Sequence, residues 1–205
     1  MTQPGQTLKA LLSRPSPDLA EIAAHLDSLA LADRIAAVRE LQGSKLQGAL
    51  WKAAASAQPV SVDDMVPPDY PRQRAVIFHG KNSLPAFTDF EKICFRPSDA
   101  DAGNVAWGYN ETKIRPVIGP GYYVLHDTSG NTLGGAAFDY TQVPRRGLPS
   151  WPPVKRNDAG ITQFVYGNMI DYMRRVAGDV FIGSAVKGGK EMGSYFVVVR
   201  ELLSV

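Results

Sequence analysis

Three neighbouring stretches carry side chains suited to acid–base chemistry or to holding a ligand. Strand alternation along "NVAWGYNET" aligns Val105, Trp107, Tyr109 and Glu111 on one face. In "GYYVLHDT" it aligns Tyr122, Val124 and His126, and in "GGAAFDYTQV" it aligns Ala137, Asp139 and Thr141. If these faces point inward, Trp107, Tyr109 and Tyr122 form apolar walls, and Glu111, His126 and Asp139 supply a few polar groups. Mostly apolar lining with sparse polar anchors is the composition of small-molecule pockets. Glu111 or Asp139 could then act as general base, with Tyr122 or His126 as proton donor or orienting group. Burial among aromatics would raise a carboxyl pKa toward neutrality, which suits proton transfer. Turned to solvent instead, the same aromatics are cross-strand pairs that stiffen a sheet. Covered by a helix they become core, and Glu111 and Asp139 then need partners, for which Arg174 and Lys113 are candidates.

Other motifs carry less. His25, His79 and His126 are far apart and none has a paired spacing, so no metal site is expected. "GSAVKGGKEMG" lacks the Walker spacing and joins two strands, so it reads as a turn. In "FEKICFRP" alternation puts Phe90, Lys92, Cys94 and Arg96 on one face and Glu91, Ile93 and Phe95 on the other. Nearby cations could activate the thiol, but an isolated strand cysteine reads first as core. His79, Lys81, Asn82 and Ser83 lie at a strand end before Pro85 and read as a turn ahead of a site.

The elements that must position these groups differ along the chain. Residues 1–57 read as three short helices with apolar positions at helical spacing, among them Leu19, Ile22 and Leu26, then Ile35 and Val38, then Leu46 and Leu50. Residues 58–75 are proline-rich with alternating charge and read as an extended linker. Residues 76–205 read as an antiparallel β-rich domain, with a helix near 160–177 taken from "ITQFVYGNMIDYMRRV". One hairpin places Gly188-Gly189 in its turn, so that Lys187 faces Lys190, Ile182 faces Tyr195 and Val180 faces Val197. A second, with Gly130-Asn131 as the loop, sets His126 opposite Gly135 and Tyr122 opposite Asp139. A Ser129-Gly130 loop would shift those pairs by two residues. The fold class is therefore α+β: an N-terminal short-helix bundle, then a strongly curved antiparallel sheet or partial β-barrel with one helix across its open face.

The chain has 205 residues and a net charge of +2, from 22 basic and 20 acidic side chains. That balance is too weak to suggest a nucleic-acid footprint, and no nucleic-acid partner is expected. Cys94 is the sole cysteine, which fits a reducing compartment, and no apolar run could span a bilayer, so a soluble cytoplasmic protein without membrane insertion is expected. Three functions rank in order. The first is a binding protein for a small hydrophobic or aromatic molecule, contacted by Trp107, Tyr109, Tyr122 and Arg174. The second is a cofactor-independent enzyme of isomerase, cyclase or lyase type using Glu111, Asp139 and His126. The third is an interaction module that meets a protein partner through the N-terminal helices. No cofactor or metal is implied by any of them.

Overall fold

In the computed structural model, which describes residues 3–86, 88–98 and 103–203, eight strands follow chain order around a closed barrel, each antiparallel to its neighbours. They are β1 (Val76–Asn82), β2 (Asp89–Phe95), β3 (Val105–Glu111), β4 (Tyr123–Asp127), β5 (Ala136–Asp139), β6 (Met169–Arg175), β7 (Val180–Lys187) and β8 (Lys190–Leu202). From sequence, a curved sheet or partial barrel is expected. The sheet closes because the 13-residue β8 pairs with β7 and also with β1, from Phe196 opposite Asn82 to Leu202 opposite Val76. Closure removes the free edges that would otherwise invite pairing with another chain.

Both hairpins form, with altered registers. Lys187 faces Lys190 as expected, but Ile182 faces Val197 and Val180 faces Val199. An irregularity between the Ser184 and Val186 pairings moves the register by two residues. Gly193, at φ +64°, sits in the irregular stretch and supplies the left-handed backbone such a bulge uses. In the second hairpin His126 faces Ala137 and Val124 faces Asp139, a two-residue shift from the expected pairs. The turn is wider than a two-residue loop, bounded by the hydrogen bond from Thr128 N–H to the Gly135 carbonyl.

The helix expected near 160–177 is shorter. It spans Gly160–Tyr166, and Met169–Arg175 is strand β6. Gly167 ends the helix, and Asn168 at φ +55° turns the chain into the barrel wall. Asparagine tolerates that conformation better than most residues.

The N-terminal helices are α1 (Pro4–Leu12), α2 (Leu19–Asp27), α3 (Leu31–Arg39) and α4 (Gly43–Ala53). Leu8, Leu12, Ile22, Leu26, Leu41 and Leu50 from this region share one buried cluster with Val180, Ile182, Val197 and Val199 of β7 and β8. The helices thus spend their apolar faces on the outside of the barrel. The segment 58–75, expected to be an extended linker, carries a one-turn helix α5 (Val62–Met65) with a Ser61–Asp64 capping box. Val60, Val62, Met65 and Val66 join the barrel core. They stop the end of the barrel where β1 and β7 begin.

That stopper is latched by arginines. The buried Arg96 guanidinium donates to the Val66 carbonyl, to Asn104 at 2.6 Å and to Asp63 at 2.7 Å. Arg200 donates to the Met65 carbonyl, and Arg175 pairs with Asp64 at 2.5 Å. At the other end, α6 (Arg115–Ile118) and α7 (Gly160–Tyr166) flank the mouth. No helix among the described residues is long and apolar enough to cross a membrane.

Candidate functional site

Alternation along the strands sends Phe90, Lys92 and Cys94 of β2, Ala106 and Asn110 of β3, and Tyr123 and Leu125 of β4 into the barrel. Phe138 and Tyr140 at the end of β5, Asp171 and Met173 of β6, and Phe196 and Val198 of β8 join them. The half of the lumen near the stopper is solid, filled by Phe78, Phe138, Phe181, Leu125 and their neighbours. The half near the mouth is hollow. It holds a cavity of about 350 Å³ lined chiefly by Phe90, Ile114, Ile118, Val165, Tyr166, Met169 and Phe196. Gly80 and Gly183 make the floor possible, because a Cβ at either would overlap the ring of Phe90 or Phe196. Those two rings meet edge to face at 5.8 Å.

A polar group of four lies where hollow meets solid. The Lys92 ammonium, 2 % exposed, donates to Asn110 Oδ1 at 3.1 Å, to Asp171 Oδ2 at 3.1 Å and to the Tyr140 hydroxyl. Tyr140 Oη lies 3.2 Å from Asp171 Oδ2, to which it donates. Asn110 is fixed in turn by donating to the Gly121 carbonyl at 3.0 Å. Five rings surround Lys92 Nζ: Phe138 at 4.6 Å, Phe196 at 4.8 Å, Tyr140 at 4.9 Å, Tyr123 at 5.3 Å and Phe90 at 5.7 Å. The rings favour a cation electrostatically but replace no water. Burial therefore pushes the Lys92 ammonium down, with Asp171 opposing, and it pushes the Asp171 carboxyl up, with Lys92 and Tyr140 opposing. Both shifts bring the proton they share closer to an even division between amine and carboxylate. Deeper in, burial raises the Cys94 thiol to about 12, so it is an inert core group, as its isolation in sequence implies.

The residues singled out from sequence stand on the other face of the same strands. Trp107 packs with Phe95 and Val124 outside the barrel, beneath Leu148 and Trp151. Tyr109 lies 4.8 Å from the Trp151 ring and 5.7 Å from the Tyr122 ring. Tyr122 donates to the Pro152 carbonyl, and burial raises both phenols to about 12. The expected inner wall is thus an outer one, covered by the loop that follows β5. Glu111 accepts from Arg115 at 2.8 Å on that outer side. His126 and Asp139 do meet, Nε2 to Oδ2 at 3.5 Å, apart from Glu111. Burial opposes the Asp139 charge, but His126, Thr141 and Gln142 outweigh it and hold the carboxyl at about 2. Arg174 is not at the mouth. Its guanidinium stacks 3.8 Å over Trp51 and donates to the Leu133 carbonyl, tying α4 to the outer wall.

Sequence reasoning passed over Lys92, Tyr140, Asn110 and Asp171 as a group. One signal was available: in "FEKICF" a lysine shares its face with Phe90 and Cys94, an odd place for a cation unless a counter-charge waits across the lumen. Among the described residues, no group of three or more His, Cys, Asp or Glu side chains stands where it could hold a metal ion. No family model, curated protein or solved structure matches the chain.

Proposed function

We propose that this protein binds a small, largely apolar molecule in the mouth half of its barrel, with an uncharged polar end of the ligand resting on the Lys92, Asp171, Tyr140 and Asn110 group. The observation that carries the reading is the contrast inside one lumen between a solid half and a cavity of about 350 Å³. An eight-stranded barrel is just wide enough either to be filled by side chains or to hold one small ligand. Here it does each in one half. A dry cavity of about 150 Å³ accepts benzene, so this one, at about 350 Å³, has room for a molecule of two or three rings or a comparable chain. The charges of Lys92 and Asp171 cancel, so a charged ligand end would add an unpaired charge, whereas a carbonyl or hydroxyl exchanges hydrogen bonds with the group.

The three tryptophans, Trp51, Trp107 and Trp151, lie outside the lumen and report on it only indirectly. A neutral probe such as N-phenyl-1-naphthylamine is the better test. Its fluorescence should rise saturably with one site per chain and fall when an apolar alcohol or ketone competes. Fluorescence that never saturates, and a melting temperature unmoved by any of these compounds, would sink the reading.

A second reading, proton transfer on the bound molecule without a cofactor, is favoured by the position of Asp171 and Tyr140 beside Lys92. A bound aryl methyl ketone should then exchange its α-protons for deuterium faster with the protein than with an Asp171→Asn variant. Equal exchange rates would remove the catalytic version and leave binding intact.

A further inference from the structure

We propose that Lys92 condenses with an apolar aldehyde or ketone lodged in the cavity, holding it as an imine whose counter-ion is Asp171. The proposal rests on the binding reading above and names the chemical class of the ligand. Three features meet at one atom. Lys92 Nζ forms the floor of an apolar chamber, it lies 3.1 Å from a buried carboxylate, and it touches the phenol of Tyr140. An amine attacks a carbonyl only as the free base, and lysines used in this way are those whose ammonium is disfavoured by burial. Burial pushes the Lys92 ammonium in that direction.

The steps balance. The proton shared by the pair passes to Asp171, leaving a neutral amine and a carboxylic acid. The Nζ lone pair attacks the carbonyl carbon, and a proton moves from nitrogen to the carbonyl oxygen to give a carbinolamine. Asp171 then protonates the hydroxyl as the carbon–oxygen bond breaks and water departs. The products are a protonated imine on Lys92, an ionised Asp171 and one water. No oxidant or reductant is needed. The protonated imine keeps one N–H, directed at the Asp171 carboxylate, so the ion pair of the empty protein is recreated with the ligand attached. Asn110 and Tyr140, which also accept from the free ammonium, are released to receive the departing water. Lys81, buried on the outer side of β1, already donates to Thr88 and Asp89 at 2.6 and 3.0 Å and does not line this cavity.

The test uses the whole chain with 2-naphthaldehyde and sodium cyanoborohydride, which reduces an imine to a stable secondary amine, followed by intact mass and peptide mapping. A parallel titration with 2-naphthalenemethanol, which fits the same space but forms no imine, reports binding alone. One adduct per chain is expected, on Lys92, formed faster than on any exposed lysine, since burial disfavours the ammonium and so enlarges the free-amine fraction. Excess 2-naphthalenemethanol should suppress it, and Asp171→Asn, which removes the acid that expels water from the carbinolamine, should slow it. If the alcohol binds but Lys92 gains no adduct, or gains one no faster than exposed lysines, imine formation is overturned and the binding reading survives. If neither compound binds, both fall together. Lys92→Met should show no adduct above the level of the exposed lysines; should that variant misfold, competition by the alcohol on the wild-type chain decides.

Discussion

The two ends of the barrel use buried charge in opposite ways. At the stopper end, Arg96 and Arg200 donate to backbone carbonyls of the 64–66 segment, and Asp63 and Asp64 take up the remaining guanidinium donors of Arg96 and Arg175. The carboxylates there are partly exposed, 52 % for Asp63, so water shares the cost of each charge. At the mouth end Lys92 and Asp171 are 2 % and 5 % exposed along their side chains and have only each other, one amide and one phenol. The first arrangement fixes a segment of chain in place. The second holds an ion pair at the floor of a largely apolar cavity, at a place where packing alone could have used a leucine. Replacing a buried ion pair by well-packed apolar residues is often neutral or stabilising, so stability does not explain why the pair is there.

That contrast can be broken most forcefully at Lys92. Lys92→Met strands the Asp171 carboxyl in the lumen and should cost roughly 3–5 kcal/mol, less any part recovered when the acid takes up a proton. Adding Asp171→Leu should restore most of the loss. Urea unfolding of the two variants gives the answer, and a double variant no more stable than the single one would mean that the pair does hold the barrel together. The same double variant should lose affinity for a carbonyl ligand while keeping a cavity for a hydrocarbon.

A smaller effect separates the solid half of the lumen from the hollow half. Ala136 and Ala185 both face inward, opposite Met173 and Asp171 across their strand pairs. Ala136 belongs to the packed cluster and Ala185 to the cavity wall. Ala136→Phe should cost about 1–3 kcal/mol through overpacking. Ala185→Phe should cost less than that and should abolish binding of N-phenyl-1-naphthylamine, because the ring occupies the ligand's space. Thermal melts with and without the probe read both effects. Equal destabilisation by the two substitutions would show that the mouth half has no free volume to give.

What could be read in the sequence divides along the same physical line. Every strand but β6, the Gly188-Gly189 turn and the alternation of Phe90, Lys92 and Cys94 were legible, because local propensity and period-two spacing decide them. Alternation states which residues share a face, but it does not state which face is inside. On β3 nearly every side chain is buried, since the lumen covers Ala106 and Asn110 while the loop carrying Leu148 and Trp151 covers Trp107 and Tyr109. Composition therefore gave two apolar faces and no means to choose, and the more aromatic one is the outer. The bulge near Gly193 and the wide turn after Thr128 moved both registers by effects that a two-residue turn rule does not contain. Asp171 was hidden for a further reason. Inward Met169, Asp171 and Met173 alternate with outward Ile170 and Tyr172, so apolar side chains stand on both faces, no period of two marks β6, and the stretch reads as a continuation of α7.

The smallest expected effect concerns a charged group on the outer wall, where solvent can interfere. His79 of β1 lies between two glutamates, with Nε2 2.7 Å from Glu201 and Nδ1 3.1 Å from Glu91 on the flanking strands. Glu91 chiefly, and then Glu201, raise the imidazole's pKa above its ordinary value of 6.5, against the opposing effect of burial. A group whose folded pKa lies above its unfolded one stabilises most at low pH, where both states hold the proton. His79 should therefore contribute fully below about pH 6.5, and that contribution should fade as the pH rises through its higher folded value. With partners about a third exposed, the effect should be on the order of 1 kcal/mol or less. Thermal melts of the wild type and of His79→Gln between pH 5 and pH 9 should converge at the alkaline end and separate at the acid end, the wild type being the more stable. A gap that instead widens with pH would mean that the neutral ring, held by packing, is what the wall requires.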